Sequence, residues 1–277
     1  MEKTMNRFFV LAFVVLASAP GLASAVEIKN VRPCWGPFGA TRFEAKCLPG
    51  DVFFITYDID GLMVDKETKK VSYTTKLELF EGDAEAAKKG KPTFTDSNPH
   101  EAIPALGGGR MPGDLIVTMP KDQKPGTYTI KLTIQDKVDN NKGVAFIYEV
   151  KVLAPEFGFI HVLAPSVGFP GQHHVPAFSL VNFTLDPKTK QPEGMLTIRI
   201  LDENKKEVAE VATMKIPDSL PRGTDLAQAN IVRLDYPVRL NRTGRFTIEI
   251  IATDKLGKKD AKLIYPLTVL DVGSFNK

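Results

Sequence analysis

Residues that most often carry chemistry are scarce in this chain. Its 277 residues include two cysteines, four histidines and one tryptophan. The cysteines, Cys34 and Cys47, are too far apart for a C-x-x-C redox or zinc motif. The histidines, His100, His161, His173 and His174, have no Cys or acidic companions at metal-ligand spacing, so no metal and no cofactor is expected. The one adjacent pair, His173-His174, points to opposite faces if it lies on a strand and cannot chelate a single ion. No G-x-S-x-G elbow or other nucleophile motif occurs, and the expectation is a protein that is not an enzyme. Neither sign of charge dominates, with 36 Lys and Arg against 33 Asp and Glu. Phosphate binding needs a concentrated basic field, which argues against a nucleic-acid partner. The short runs Lys88-Lys89-Gly-Lys91 and Lys258-Lys259 stand beside glycines and read as solvated loop tips.

The first 25 residues are a separate object. Lys3 and Arg7 lead into the apolar run Phe8 to Ala17, followed by the small-residue site Ala23-Ser24-Ala25. That is the pattern of a secretory signal peptide. The apolar run is half the roughly 20 residues that span a bilayer, and no later segment is longer, so no membrane span is expected after cleavage. The protein is expected to be exported, to the periplasm, the cell surface or the medium. Export favours a disulfide between Cys34 and Cys47, and closing a loop of about 14 residues would contribute roughly 3 kcal/mol.

The strongest signal is an internal repeat. Gly126-Thr-Tyr128-Thr-Ile130-Lys-Leu132-Thr-Ile134-Gln-Asp136 returns as Gly244-Arg-Phe246-Thr-Ile248-Glu-Ile250-Ile-Ala252-Thr-Asp254, at an offset of 118 residues. Upstream, Pro49-Gly50 returns as Pro170-Gly171, and Asp65-Lys-Glu-Thr68-Lys69 as Asp186-Pro-Lys-Thr189-Lys190, at 121. Downstream, Phe146-Ile147-Tyr148 returns as Leu263-Ile264-Tyr265, at 117. The drift needs only small deletions, which loops tolerate. Alternation with period two runs through both copies, in short segments bounded by Gly, Pro, Asn and Asp, as β-sandwich strands require. The fold class is therefore all-β, with residues 1-25 as signal peptide and two tandem immunoglobulin-like β-sandwich domains at 26-154 and 155-277. Asp83 to Lys89 is the one short helix signal, stopped by Gly90 and Pro92. Pro155 in Leu153-Ala-Pro155-Glu-Phe-Gly158 predicts a short, stiff junction and an elongated pair.

Lys124-Pro125-Gly126-Thr127-Tyr128-Thr129-Ile130 resembles the opening of a late strand in immunoglobulin-like and fibronectin type III-like sandwiches. The resemblance implies a tyrosine corner at Tyr128, its hydroxyl reaching back to an upstream carbonyl. Phe246 stands at the matching place and cannot make that bond. With the D-x-x-T-x-K turns, the chain is similar to exported bacterial proteins built of two such domains, a likeness that implies no activity.

Three further segments invite a functional reading. Asp58-Ile-Asp60-Gly61 offers acidic oxygens, but Leu62 and Val64 interrupt the ligand positions of a calcium loop, and a strand end running into a turn explains the acids. Ala105-Leu-Gly107-Gly108-Gly109-Arg110 lacks the following helix that a phosphate-cradling loop needs, and its glycines suit left-handed conformations. The stretch from about Gly82 to Gly113 reads as an unusually long loop, carrying Phe94, His100 and Arg110. It, or the disulfide loop with Trp35 and Phe38, is the candidate binding surface. A non-catalytic envelope or extracellular binding or scaffold protein follows, its partner an unknown protein or cell-envelope polymer. A carbohydrate-binding module is the alternative, as is a periplasmic chaperone-like protein, for which no basic anchor between the domains is evident.

Overall fold

The computed structural model describes residues 25–140, 142–216, 231–271 and 273; all but the last residue of the expected signal peptide, residues 1–25, lies outside them. In the first half, β1 (Glu27–Trp35), β2 (Ala40–Thr41), β3 (Lys46–Cys47), β4 (Val52–Asp60) and β5 (Val71–Glu81) precede α1 (Ala84–Lys89), and β6 (Phe94–Ala102), β7 (Met111–Thr118), β8 (Gly126–Asp136) and β9 (Gly143–Val152) follow it. The second half runs β10 (Gly158–Leu163), β11 (Val167–Gly168), β12 (His173–His174), β13 (Ala177–Val181), β14 (Gly194–Asp202), β15 (Ala212–Ile216), β16 (Ile231–Asp235), β17 (Val238–Arg239), β18 (Gly244–Asp254) and β19 (Lys259–Val269). None of the helix in the described residues is long and apolar enough to cross a membrane.

The repeat in sequence is a repeat in topology. One sheet of the first half has the order β3-β9-β8-β5-β6, and its counterpart is β11-β19-β18-β14-β15. Each ends in a two-residue strand paired in parallel, β3 on β9 and β11 on β19. The facing sheets contain β1-β4-β7 and β10-β13-β16 in the same relative order. Between each pair of sheets the inward residues of the alternating strands form a core, with Phe53, Ile55, Ile130 and Leu132 in one and Leu180, Leu196, Ile248 and Ile250 in the other.

The repeated aspartates explain themselves structurally. Fully buried Asp136 accepts from the backbone N–H of Met63 at 2.7 Å and of Val138 at 2.8 Å, and Asp254 from Thr184 at 2.9 Å and Gly257 at 3.1 Å. Each carboxylate thus ties the turn after its own strand to the chain leaving the opposite sheet. Asp65 and Asp186 accept from the backbone N–H two and three residues on, closing identical turns. Tyr128 donates to the Lys124 carbonyl at 3.0 Å, the corner that the resemblance implies. In the second copy the Arg242 guanidinium lies 5.3 Å from the Phe246 ring centre instead.

Two sequence expectations change. The stretch from Gly82 to Gly113 is not one long loop: α1 is capped by Asp83, which accepts from Glu85 and Ala86 N–H, and β6 is a nine-residue edge strand. Its sequence, FTDSNPHEA, shows no alternation because its first six residues are exposed and only His100 and Ala102 are half-buried, and Pro99 is tolerated because the outer edge has no partner strand among the described residues. The disulfide is not formed either. Cys34 and Cys47 are free, buried thiols on different sheets, Cys34 opposite Thr41 and Phe54, and Cys47 opposite Val152. Burial raises both, Cys47 to about 12, and keeps the thiols protonated.

Candidate functional site

The five residues expected to present a binding surface fall in separate places. Trp35 and Phe38 belong to the seam between the halves. There Ala40 N donates to the Ala164 carbonyl at 2.7 Å and Ala164 N to the Trp35 carbonyl at 3.0 Å, and Ala40 packs in the second core. Gly39 permits this approach, since a Cβ there would meet the Trp35 carbonyl and Ala164 backbone. Beneath it lies a charge network. Asp51 (0% exposed) accepts from Arg42 Nη2 at 3.1 Å, from Val52 N at 2.8 Å and, across the seam, from His161 N at 2.9 Å. His161 Nε2 donates to the Gly50 carbonyl at 2.8 Å. The Arg42 guanidinium (4% exposed) also donates to the Lys46 carbonyl and is stacked by Trp35 at 4.1 Å and Phe53 at 4.8 Å. Phe38 stands at the rim, 50% exposed. Leu48, Ile160 and Val181 add a small apolar cluster joining the halves.

Arg110 lies elsewhere. It bonds Asp58 at 2.6 Å, and Asn30 bonds the same carboxylate oxygen, while Lys29 takes Asp60 at 2.8 Å. Those contacts account for the acids of the calcium-like motif and lower both carboxyls, first through the side-chain hydrogen bonds. Gly107 and Gly108 have the left-handed φ values expected of that loop, 79° and 77°. Phe94 is 52% exposed at the far end of β6.

His100 lines a cleft of about 280 Å³ at the open side of the first sandwich, where edge strand β6 of one sheet approaches edge strand β7 of the other. Asp96, Asn98 and His100 line it from β6, Tyr73 and Thr75 from β5, Tyr57 from β4 and Gly113 from β7. The His100 ring stacks on Tyr73, 4.9 Å between centres and 17° between planes, and its Nε2 is 2.9 Å from Thr75 Oγ1. Asn98 Nδ2 donates to Asp96 Oδ2 at 2.8 Å. Burial raises Tyr57, with the charges of Tyr73 and Asp114 adding to it, and burial raises Tyr73. Both phenols therefore remain neutral donors at physiological pH.

The second half supplies an internal control, because strand register identifies each counterpart. Tyr57 faces Gly113 across β4 and β7, and Phe178 faces Leu234 across β13 and β16. Tyr73 and Gly194 each face the buried aspartate, so Thr75 corresponds to Leu196. On the edge strands Asp96, Asn98 and His100 correspond to Ala212, Met214 and Ile216. In the second half Phe178, Leu196, Ile216 and Leu234 are buried core residues, with Ala212 and Met214 packed against them. The same site is thus filled by apolar side chains in one copy and lined by polar ones in the other. Gly113 is essential to the difference, since a Cβ there would lie 2.4 Å from the Tyr57 ring.

Two larger hollows flank the seam, of about 760 Å³ beside Arg42 and Phe43 and about 550 Å³ beside Phe38 and Leu163. In the first, Arg42 is engaged by Asp51, Lys46 by Glu44 and Lys262 by Glu249. Trp35 Nε1 and Arg42 Nη1 lack a partner among the described residues, but both are sealed from solvent.

Sequence reasoning singled out His100 and missed Tyr57, Tyr73, Asn98, Gly113, Arg42 and Asp51. For Tyr57 and Tyr73 the signal was within reach, since the offset of 121 sets them against Phe178 and Gly194.

No protein-family model matches the sequence, and no curated protein matches it. Among solved structures, it is similar to red sea bream transglutaminase, with 9% identity and a TM-score of 0.29 over 89% of this chain and 31% of that one. It is similar to the dimeric latent PorU of Porphyromonas gingivalis, at 11% identity and TM-score 0.35, over 90% of this chain and 20% of that one. The C-terminal domain of the Streptococcus pyogenes antigen I/II-family protein AspA gives 9% identity and TM-score 0.32, over 89% of this chain and all of that one. The chain spans less than a third of the first two, and at these TM-scores none of the three bears on what it does.

Proposed function

We propose that this is an exported, non-catalytic binding protein in which the first sandwich holds a ligand cleft and the second, fixed to it through the seam, is a rigid mount. The observation that supports this is the polar lining of the β6–β7 cleft where the duplicate has apolar side chains in or against its core. Replacing apolar contacts by Asp96, Asn98, His100 and Thr75 forgoes burial worth about 25 cal/mol per Å². Departures of this kind from good packing concentrate at functional sites. The seam supports the mounting role, since its buried charges and paired backbones leave the halves no free hinge at Pro155.

The test borrows the second copy's residues. In the triple variant Asp96→Ala/Asn98→Met/His100→Ile, the cleft should lose the capacity to bind small probes. A mixed fragment panel of sugars, amino-acid amides, basic peptides and nucleobases is screened by amide chemical shifts. At least one probe should perturb residues 96–100 and 113–116 in the wild type, and the perturbation should vanish in the triple variant and weaken in Asn98→Ala. A panel that perturbs neither strand, or perturbs them equally in all three proteins, overturns the assignment.

A further inference from the structure

We infer that the cleft between β6 and β7 binds a neutral saccharide, one sugar ring seated among Tyr57, Tyr73, Asp96, Asn98 and His100. This rests on the reading of the cleft as a ligand site and adds the chemistry of the ligand. The lining balances hydrogen-bond donors and acceptors. Asp96 only accepts, the two phenols supply donors, and the Asn98 amide and Thr75 hydroxyl do both. A sugar hydroxyl is likewise donor and acceptor at once, and a ring carrying several of them can satisfy both kinds together.

Other ligand classes leave part of this lining unmatched. A basic side chain would use the acidic oxygens and strand the phenol and amide donors. An anion would face Asp96 and Asp114, which line the same cleft. An apolar group would bury polar atoms without partners, which is unfavourable for each one. The walls contribute a second element, because Leu77, Leu115 and Leu132 give apolar surface beside the polar groups, and the His100 ring is held flat on Tyr73. A pyranose has the corresponding split between C–H faces and hydroxyl rim. Size fits too: about 280 Å³ lies at the low end of ligand sites, near roughly 300 Å³, which suits one ring rather than a folded chain. Because the cleft is an open side of the sandwich and not an enclosed cavity, the ring can be one unit of a longer polymer.

The experiment titrates the intact protein, at roughly millimolar concentrations, with maltotetraose, cellotetraose, mannotetraose and chitotetraose, and with tetralysine as the basic-peptide arm. Amide shifts of residues 96–100 and 113–116 report occupancy. At least one tetrasaccharide should saturate these shifts. Tyr57→Phe and Asn98→Ala, each removing hydrogen-bonding capacity and little volume, should weaken it by about tenfold, while circular dichroism and melting stay as in the wild type. No saturable binding by any tetrasaccharide, or wild-type affinity retained in both variants, overturns the inference. Binding of tetralysine alone overturns it as well but leaves the cleft a ligand site. That separates a wrong ligand class from a wrong site.

Discussion

Asp51→Ala is expected to cost about 3–5 kcal/mol, because it leaves the Arg42 guanidinium buried against Trp35 and Phe53 with its charge unpaired. The loss acts on both halves, since the same carboxylate accepts from His161 across the seam. In urea or heat the wild type should unfold as one cooperative unit, and Asp51→Ala should separate the two sandwiches into resolved transitions. Adding Arg42→Met to the variant should recover part of the loss, since a buried cation is replaced by an apolar chain of similar length. Denaturation followed by tryptophan fluorescence and circular dichroism checks this, because Trp35 lies in the seam while circular dichroism reports all strands. Two transitions already present in the wild type, unmoved by the substitution, would show that the seam does not couple the halves.

The second large effect is expected at the paired aspartates. Asp136→Ala removes the acceptor for three backbone N–H groups, of Met63, Val138 and Asp139, and Asp254→Ala the acceptor for Thr184 and Gly257. Hydrogen bonds to a charged acceptor are worth about 1.5–3 kcal/mol each, and buried donors left unpaired add to the loss. Taken at the low end of that range, two such bonds put Asp254→Ala at about 3 kcal/mol and three put Asp136→Ala at about 4.5 kcal/mol. Asn is expected to be intermediate in both places, since its amide oxygen replaces one acceptor while its NH2 faces a donor. Chemical denaturation of the four single variants gives the values. An effect below about 1 kcal/mol, the size of one ordinary hydrogen bond, at both sites would remove these carboxylates from the explanation of the repeat.

Those aspartates also show what the linear chain discloses. Period-two alternation marked β5, β8, β9, β14, β18 and β19 because each buries mainly one face, and the repeat marked Asp136 and Asp254 because both copies need the same backbone acceptor. Asp83 and Gly90 marked α1 for the same local reason, a cap at each end. Features made by pairing between distant segments stayed hidden. β6 has no buried face to impose a pattern, and the closeness of Tyr73 to His100 depends on a register that neither residue encodes alone. The seam joins Asp51 to a residue 110 positions later. Both cysteines also illustrate the limit, since export and loop length favoured a bond that their placement on separate sheets does not make. In the cleft, polar residues on an edge strand look like ordinary solvent-facing positions until their apolar counterparts in the second copy are aligned through the strand register.

Side chains kept for a ligand can be replaced without loss of stability, whereas side chains that hold a sandwich together cannot. The melting midpoint of Asp96→Ala/Asn98→Met/His100→Ile distinguishes the two. If the cleft is a ligand site, the midpoint in the absence of ligand should equal or exceed that of the wild type, by about 2–4 °C for each kcal/mol of added apolar burial. A midpoint lowered by several degrees would mean that the polar strip is structural, and would contradict the assignment of the cleft.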